Sequence, residues 1–119
     1  MKTYVIAEMA WSHTGYFKKA IEMLEGASSS GADAISIHIT DMGTYMTEDY
    51  RCIAGVTLSD SADDEQSIYD FLESINLSHD DWLRFSSKAD ELNIDLVVMC
   101  NDQISFEFSK KINVKKYGV

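Results

Sequence analysis

Proline is absent from all 119 residues. A usual share of about 5% would give roughly six, so the absence points to drift away from a proline-bearing ancestor. Cysteine is nearly absent as well. Cys52 and Cys100 stand far apart without a CxxC spacing, which excludes a disulfide framework and suggests no zinc site; a reducing, cytoplasmic setting is the expectation. Basic residues are scarce: ten lysines and arginines face twenty aspartates and glutamates, for a formal net charge of −10. No nucleic-acid partner is expected, because a phosphate backbone demands a basic stripe. The one basic cluster, Lys110, Lys111, Lys115 and Lys116, reads as solvated charge near a helix end. No apolar run approaches the ~20 residues of a membrane span. Glu8 interrupts the N-terminal run before a signal-peptide core could form, so no membrane partner is expected either. The length suits one domain with a modest core.

What is present is organised around residues 4–15, YVIAEMAWSHTG. Tyr4, Val5, Ile6 and Ala7 suit a strand over 3–9, since aromatic and β-branched side chains pack well on a pleated surface. Alternation puts Tyr4, Ile6 and Glu8 on one face and Val5, Ala7 and Met9 on the other. Ser12, His13, Thr14 and Gly15 supply turn chemistry. A helix follows over 16–28, with Phe17, Ala20, Ile21, Leu24 and Ala27 at helical spacing, and Gly31 is placed to take a left-handed cap. An acid at the carboxyl end of a parallel strand is where α/β folds site their chemistry. A strand-end carboxylate that simply meets water is the plain alternative, and this stretch by itself does not decide between them.

Ala34–Ile39 alternates cleanly, with Ile35, Ile37 and Ile39 on one face and Ala34, Ser36 and His38 on the other. His38 reads either as a hydrogen-bonded structural residue or as a chemical one. Residues 40–65 show no sustained period, and a loop of that length at a strand's carboxyl end would overhang a site. The acids Asp60, Asp63, Asp64 and Glu65 within it read as solvated charge before a helix rather than a metal cluster. A short helix over 66–74 carries Ile68, Phe71 and Leu72, with Ile75 on the same side. Ser78 then caps a longer helix with Asp80 and Asp81 in its first turn and Trp82, Leu83, Phe85, Ala89 and Leu92 on its buried face. Asn93 is a second left-handed cap before a strand over 94–99. A last helix spans 103–112, ended by Asn113 before the apolar stretch from Val114. Repeated strand, helix, strand order with short returns implies an α/β fold with a parallel sheet and right-handed crossovers.

Three segments, IAEMAWSHTG at 6–15, GADAISIHIT at 31–40 and SIYDFLESINLSHDDW at 67–82 with the following ELNIDLVV, resemble in order and spacing the N-terminal half of the sialic acid synthase (N-acetylneuraminate synthase) family. That family's catalytic domain is a TIM barrel. The resemblance therefore implies parallel βα units of a partial (β/α)8 barrel, about three to four strands, with residues 1–119 as one N-terminal portion expected to be incomplete. Family members condense phosphoenolpyruvate with an N-acetylated sugar such as N-acetylmannosamine, with a divalent metal, Mn or Mg, expected for the intact family. No metal ligands are identifiable in this chain. Carried over position by position, the resemblance implies a catalytic role near the sugar for Glu8 and sugar-side roles for His13 and Tyr69; His38, on the inner face beside Glu8, is expected to be sugar-binding with them.

Departures from the family pattern fall on its phosphate side. Ser36 stands where VKFQ has its lysine, and His38 where it has glutamine. Met99 replaces the threonine of STPFD, and Gly118 the lysine of YKIGS. Each lost charge-assisted contact is worth about 1.5–3 kcal/mol, so this chain is not expected to catalyse the family reaction by itself. Two readings follow. One is the N-terminal portion of a divergent synthase-like protein of sialic or nonulosonic acid biosynthesis, whose partners are the sugar and the remainder of the barrel. The other is a non-catalytic module that forms homo-oligomers or binds a sugar through the mouth at Glu8, His13 and His38. A reassigned enzyme with His38 and Glu8 as an acid/base pair rests on proximity only.

Overall fold

The isoleucines at alternate positions of 34–39 behave as their spacing predicts. In the computed structural model, which describes residues 1–47 and 68–119, they lie on β2 (Ala34–Ile39). Around it stand β1 (Ile6–Ala10), β3 (Asp95–Cys100) and β4 (Val114–Gly118), in spatial order β1-β2-β3-β4. Every neighbouring pair is parallel. The connections carry α1 (Phe17–Ser29), a single turn α2 (Met42–Tyr45), α3 (Ile68–Ser74), α4 (His79–Glu91) and α5 (Gln103–Ser109). Strands whose spatial order repeats their chain order, joined by helices, match part of a (β/α)8 barrel, here three βα units and a fourth strand. The acidic run at Asp60, Asp63, Asp64 and Glu65 and the thiol of Cys52 lie outside the described residues.

One face of the sheet is covered. Ile35, Ile37, Ile39, Leu96 and Val98 pack on Ala20 and Leu24 of α1 and on Trp82, Phe85 and Ala89 of α4, all essentially without solvent contact. Each large side chain so buried contributes about 1.5–3 kcal/mol. The two helices are also joined at their surface, where the Arg84 guanidinium stands 4.1 Å from the centre of the Phe17 ring and Lys88 lies 3.6 Å from Glu25. Ser78 caps α4 as expected: its hydroxyl accepts from the Asp81 N–H, and the Asp81 carboxylate reaches back to the Ser78 N–H. Gly31 and Asn93 take the left-handed conformation, at φ 83° and 53°.

Five details differ from expectation. β1 begins at Ile6 rather than residue 3, because the Asp33 carboxylate takes the Val5 N–H at 2.9 Å in place of a ladder partner. The segment after β2 holds one helical turn, started at Asp41, whose carboxylate accepts from the Thr44 hydroxyl. Leu83 faces solvent. The last helix ends at Ser109 rather than at residue 112, and the Asn113 amide donates to Asp90 at 3.0 Å. Lys116, grouped above with solvated charge, stands on β4 with its ammonium 4.0 Å above the Tyr4 ring. Among the described residues no helix is long and apolar enough to cross a membrane.

Candidate functional site at the carboxyl end of the open sheet face

Helices cover one face of the sheet, so the chemistry-bearing side chains of the other meet at the strand ends. Strand β1 ends in a bulge between Glu8 and Ala10. There Ala10 adopts φ 47° and its N–H donates to Glu8 Oε1 at 2.8 Å, which holds the carboxylate at the turn. His38, on the neighbouring strand, brings Nε2 to 3.7 Å from the same oxygen. That is too long for a hydrogen bond and becomes an ion pair when the imidazole is protonated. The Glu8 side chain is 53% accessible and that of His38 22%, so both are open to a ligand. Ser36 pairs with Glu8 in register and is buried beneath them.

In the next row toward the carboxyl ends of the strands, on the same face, His38 is the register partner of Met99, and Met99 of Gly118. A Cβ added at Gly118 would lie 2.7 Å from Met99 Cγ. From β1 to β4 the mouth therefore presents a carboxylate, an imidazole, a thioether and bare backbone.

The rim is fixed by polar ties between loops. Asp102 caps α5 through the Ser105 N–H at 2.7 Å and also accepts the Asp41 N–H at 2.7 Å, so it joins the loops after β2 and β3. Thr40 is held from both sides, its hydroxyl by the Asn101 amide and its carbonyl by that of Asn76. Beside these ties lies an open groove of about 550 Å³ that Thr44, Gln103 and Glu107 help to line. Burial pushes the Cys100 thiol up, with a Ser109 hydrogen bond opposing the shift and Asp102 adding to it, which favours the protonated form.

His13 and Tyr69 are placed differently from Glu8 and His38. His13 is 2% exposed, and its ring meets Trp82 edge-on at 5.6 Å. Its Nδ1 accepts the Gly15 N–H at 3.1 Å, which leaves the proton of the neutral ring on Nε2. Desolvation, assisted by Lys19, lowers its pKa to about 4. Tyr69 sits on α3 with its hydroxyl 3.5 Å from Glu73 of the same helix.

At the opposite end of the open face stands a group that the motifs did not single out. The Tyr4 hydroxyl crosses to donate to Asp95 at 2.7 Å, beneath Lys116. Alternation had put Tyr4 on the face of Glu8, but the partner needed the strand register.

A manganese or magnesium ion asks for about six oxygen or nitrogen ligands. Glu8 and His38 are two donors, and one carboxylate oxygen already accepts from Ala10. Among the described residues no group of three or more His, Cys, Asp or Glu side chains converges to hold a metal ion. These residues do not by themselves fit such an ion.

No family model matches the chain. It is 26% identical, over all 119 residues and 33% of the relative's length, to the N,N'-diacetyllegionaminic acid synthase of Legionella pneumophila. Among solved structures it superposes on the N-acetylneuraminic acid (sialic acid) synthetase of Leptospira borgpetersenii serovar Hardjo-bovis, in complex with citrate, with a TM-score of 0.76 at 16% identity over 98% of this chain and 35% of that one. The chain is thus similar to sialic acid and legionaminic acid synthases. A putative spore coat polysaccharide biosynthesis protein E from Chromobacterium violaceum shares the fold of the synthase-like chain, with a TM-score of 0.72 at 13% identity over 98% of this chain and 33% of its own. The synthase-like chain thus spans about a third of the length of the relatives it matches, and its four strands are a partial TIM barrel.

Proposed function

We propose that this chain supplies three βα units and a fourth strand of a barrel that binds an N-acetylated sugar in nonulosonic acid or related surface-carbohydrate biosynthesis, with Glu8 and His38 on the sugar. The observation that carries the reading is the meeting of those two side chains at adjacent strand ends, 3.7 Å apart and open to solvent. A carboxylate accepts from sugar hydroxyls and an imidazole both donates and accepts, so together they recognise a polyol edge. The name of the Legionella relative, a synthase of a diacetylated acid, supports the substrate class. His13 serves this reading by fixing the loop that follows Glu8, and Tyr69 belongs to it through the resemblance. Phosphoenolpyruvate condensation is not assigned to this chain by itself, since Ser36, Met99 and Gly118 bring no cation. The metal's ligands would come from elsewhere in the barrel.

Calorimetric titration of the 119-residue chain with N-acetylmannosamine, and separately with phosphoenolpyruvate, tests the reading. Binding of the sugar, weakened about 10- to 100-fold in Glu8→Gln, is the expected outcome for a lost charged hydrogen-bond acceptor. Tighter binding of phosphoenolpyruvate than of sugar, or an unchanged Glu8→Gln, would sink it. A second reading, self-association, is favoured by the apolar side chains left exposed at both sheet edges, Tyr4, Val5 and Ile6 at one and Tyr117 at the other.

A further inference from the structure

We propose that Met99 and Gly118 form one specificity-determining unit, in which the Met99 side chain lies on the bare backbone of Gly118 and closes the β3–β4 half of the mouth to anionic ligands. The inference rests on the reading of the mouth as the ligand site. Its first support is steric. The two residues are register partners on adjacent strands, and a Cβ at position 118 would stand 2.7 Å from Met99 Cγ and 3.5 Å from its Sδ and Cε. Cγ is the second carbon of the side chain, so a flick of the terminal methyl does not relieve the contact; χ1 must change.

The second support is conformational. Gly118 is not among the positive-φ glycines, so its backbone accepts any L-residue and no turn explains the glycine. What it provides is room for Met99. The third support is electrostatic. A thioether and bare backbone carbons offer an anion no charge and no strong donor. Lys116, which shares the register row of Glu8 and Ser36, carries its ammonium over the Tyr4 ring, 4.0 Å from its centre, and the charge facing the mouth is the Glu8 carboxylate. The Glu8–His38 half is thereby left for a neutral, hydrogen-bonding ligand.

A double-mutant cycle tests the unit apart from any ligand. Gly118→Ala is expected to lower Tm by about 4 °C or more, and at least half of that loss should vanish in the Met99→Ala background. An equal loss in both backgrounds overturns the contact. Inorganic phosphate, followed by ³¹P line broadening, then probes exclusion. The Met99→Ala/Gly118→Lys pair should bind it about tenfold more tightly than wild type or Gly118→Lys, whose lysine Met99 deflects. Phosphate binding by the wild type equal to that of the pair overturns the proposal. Should Met99→Ala not fold, Met99→Leu, which keeps the apolar cover but has a different shape at Cγ, is expected to lower Tm little alone and to change the cost of Gly118→Ala; an unchanged cost counts against the contact. N-acetylmannosamine titration of the wild type runs beside these: its failure with the coupling intact removes the sugar reading, whereas sugar binding without coupling removes the Met99–Gly118 unit.

Discussion

A buried imidazole such as His13 is an acid-sensitive point. Its pKa is lowered from 6.5 to about 4, first by burial and then by Lys19, so between those values the unfolded chain holds the extra proton. Stability therefore rises with pH across that window and is lost as pH falls from 6.5 through 4, by about 3 kcal/mol at most. Urea unfolding at pH 7 and pH 5 should show the loss, and His13→Gln should flatten it. Tyr4 has the opposite sign. Its hydrogen bond to Asp95, followed by burial, pushes the phenol up to about 12. The neutral phenol's contribution is present below pH 10 and disappears as pH rises from 10 to 12. Ultraviolet titration should find a tyrosine ionising near 12 that is missing from Tyr4→Phe. The position of Glu8 beside the carboxyl end of β1 was legible, because strand alternation and the following turn placed it there. His13 in the same motif could not be located, because its burial depends on Trp82, 69 positions along the chain.

Among the elements, the loop between β1 and α1 is the most constrained. Gly15 sits at φ 80°, and a Cβ there would lie 2.8 Å from the Ser74 carbonyl oxygen, so the loop and the end of α3 approach through this one residue. Gly15→Ala combines left-handed strain with a backbone clash and should cost about 2 kcal/mol or more in chemical denaturation. Local signals of this kind were readable: Ser78, Gly31 and Asn93 cap where their chemistry says they should. What stayed hidden depends on pairing between distant segments. Asn113 reads only as a helix end until the fold brings its amide to Asp90. Met99 looks like a simple loss of hydroxyl until register sets it over Gly118. Leu83 fits the helical stripe by spacing, yet lies beyond the width of surface that the sheet covers.

At the scale of the molecule, the four parallel strands of the described residues leave two open edges among those residues, whereas a closed barrel of this class has eight strands. Unpaired edges with exposed Val5 and Ile6 seek partners. Sedimentation of the 119-residue chain should show concentration-dependent association that Val5→Lys reduces; a monomer at all concentrations would show that the edges need no cover. The order of the strands followed from the repeated motif order, whereas the ties at the rim join residues 36 to 61 positions apart and had no local signal. The central claim is that Glu8 and His38 form the sugar-recognising half of the mouth. Site-resolved NMR of the His38 imidazole during N-acetylmannosamine titration tests it most directly. The account predicts a saturable His38 shift that Glu8→Gln weakens and phosphoenolpyruvate does not reproduce. A His38 signal that ignores the sugar while moving with phosphoenolpyruvate would contradict it.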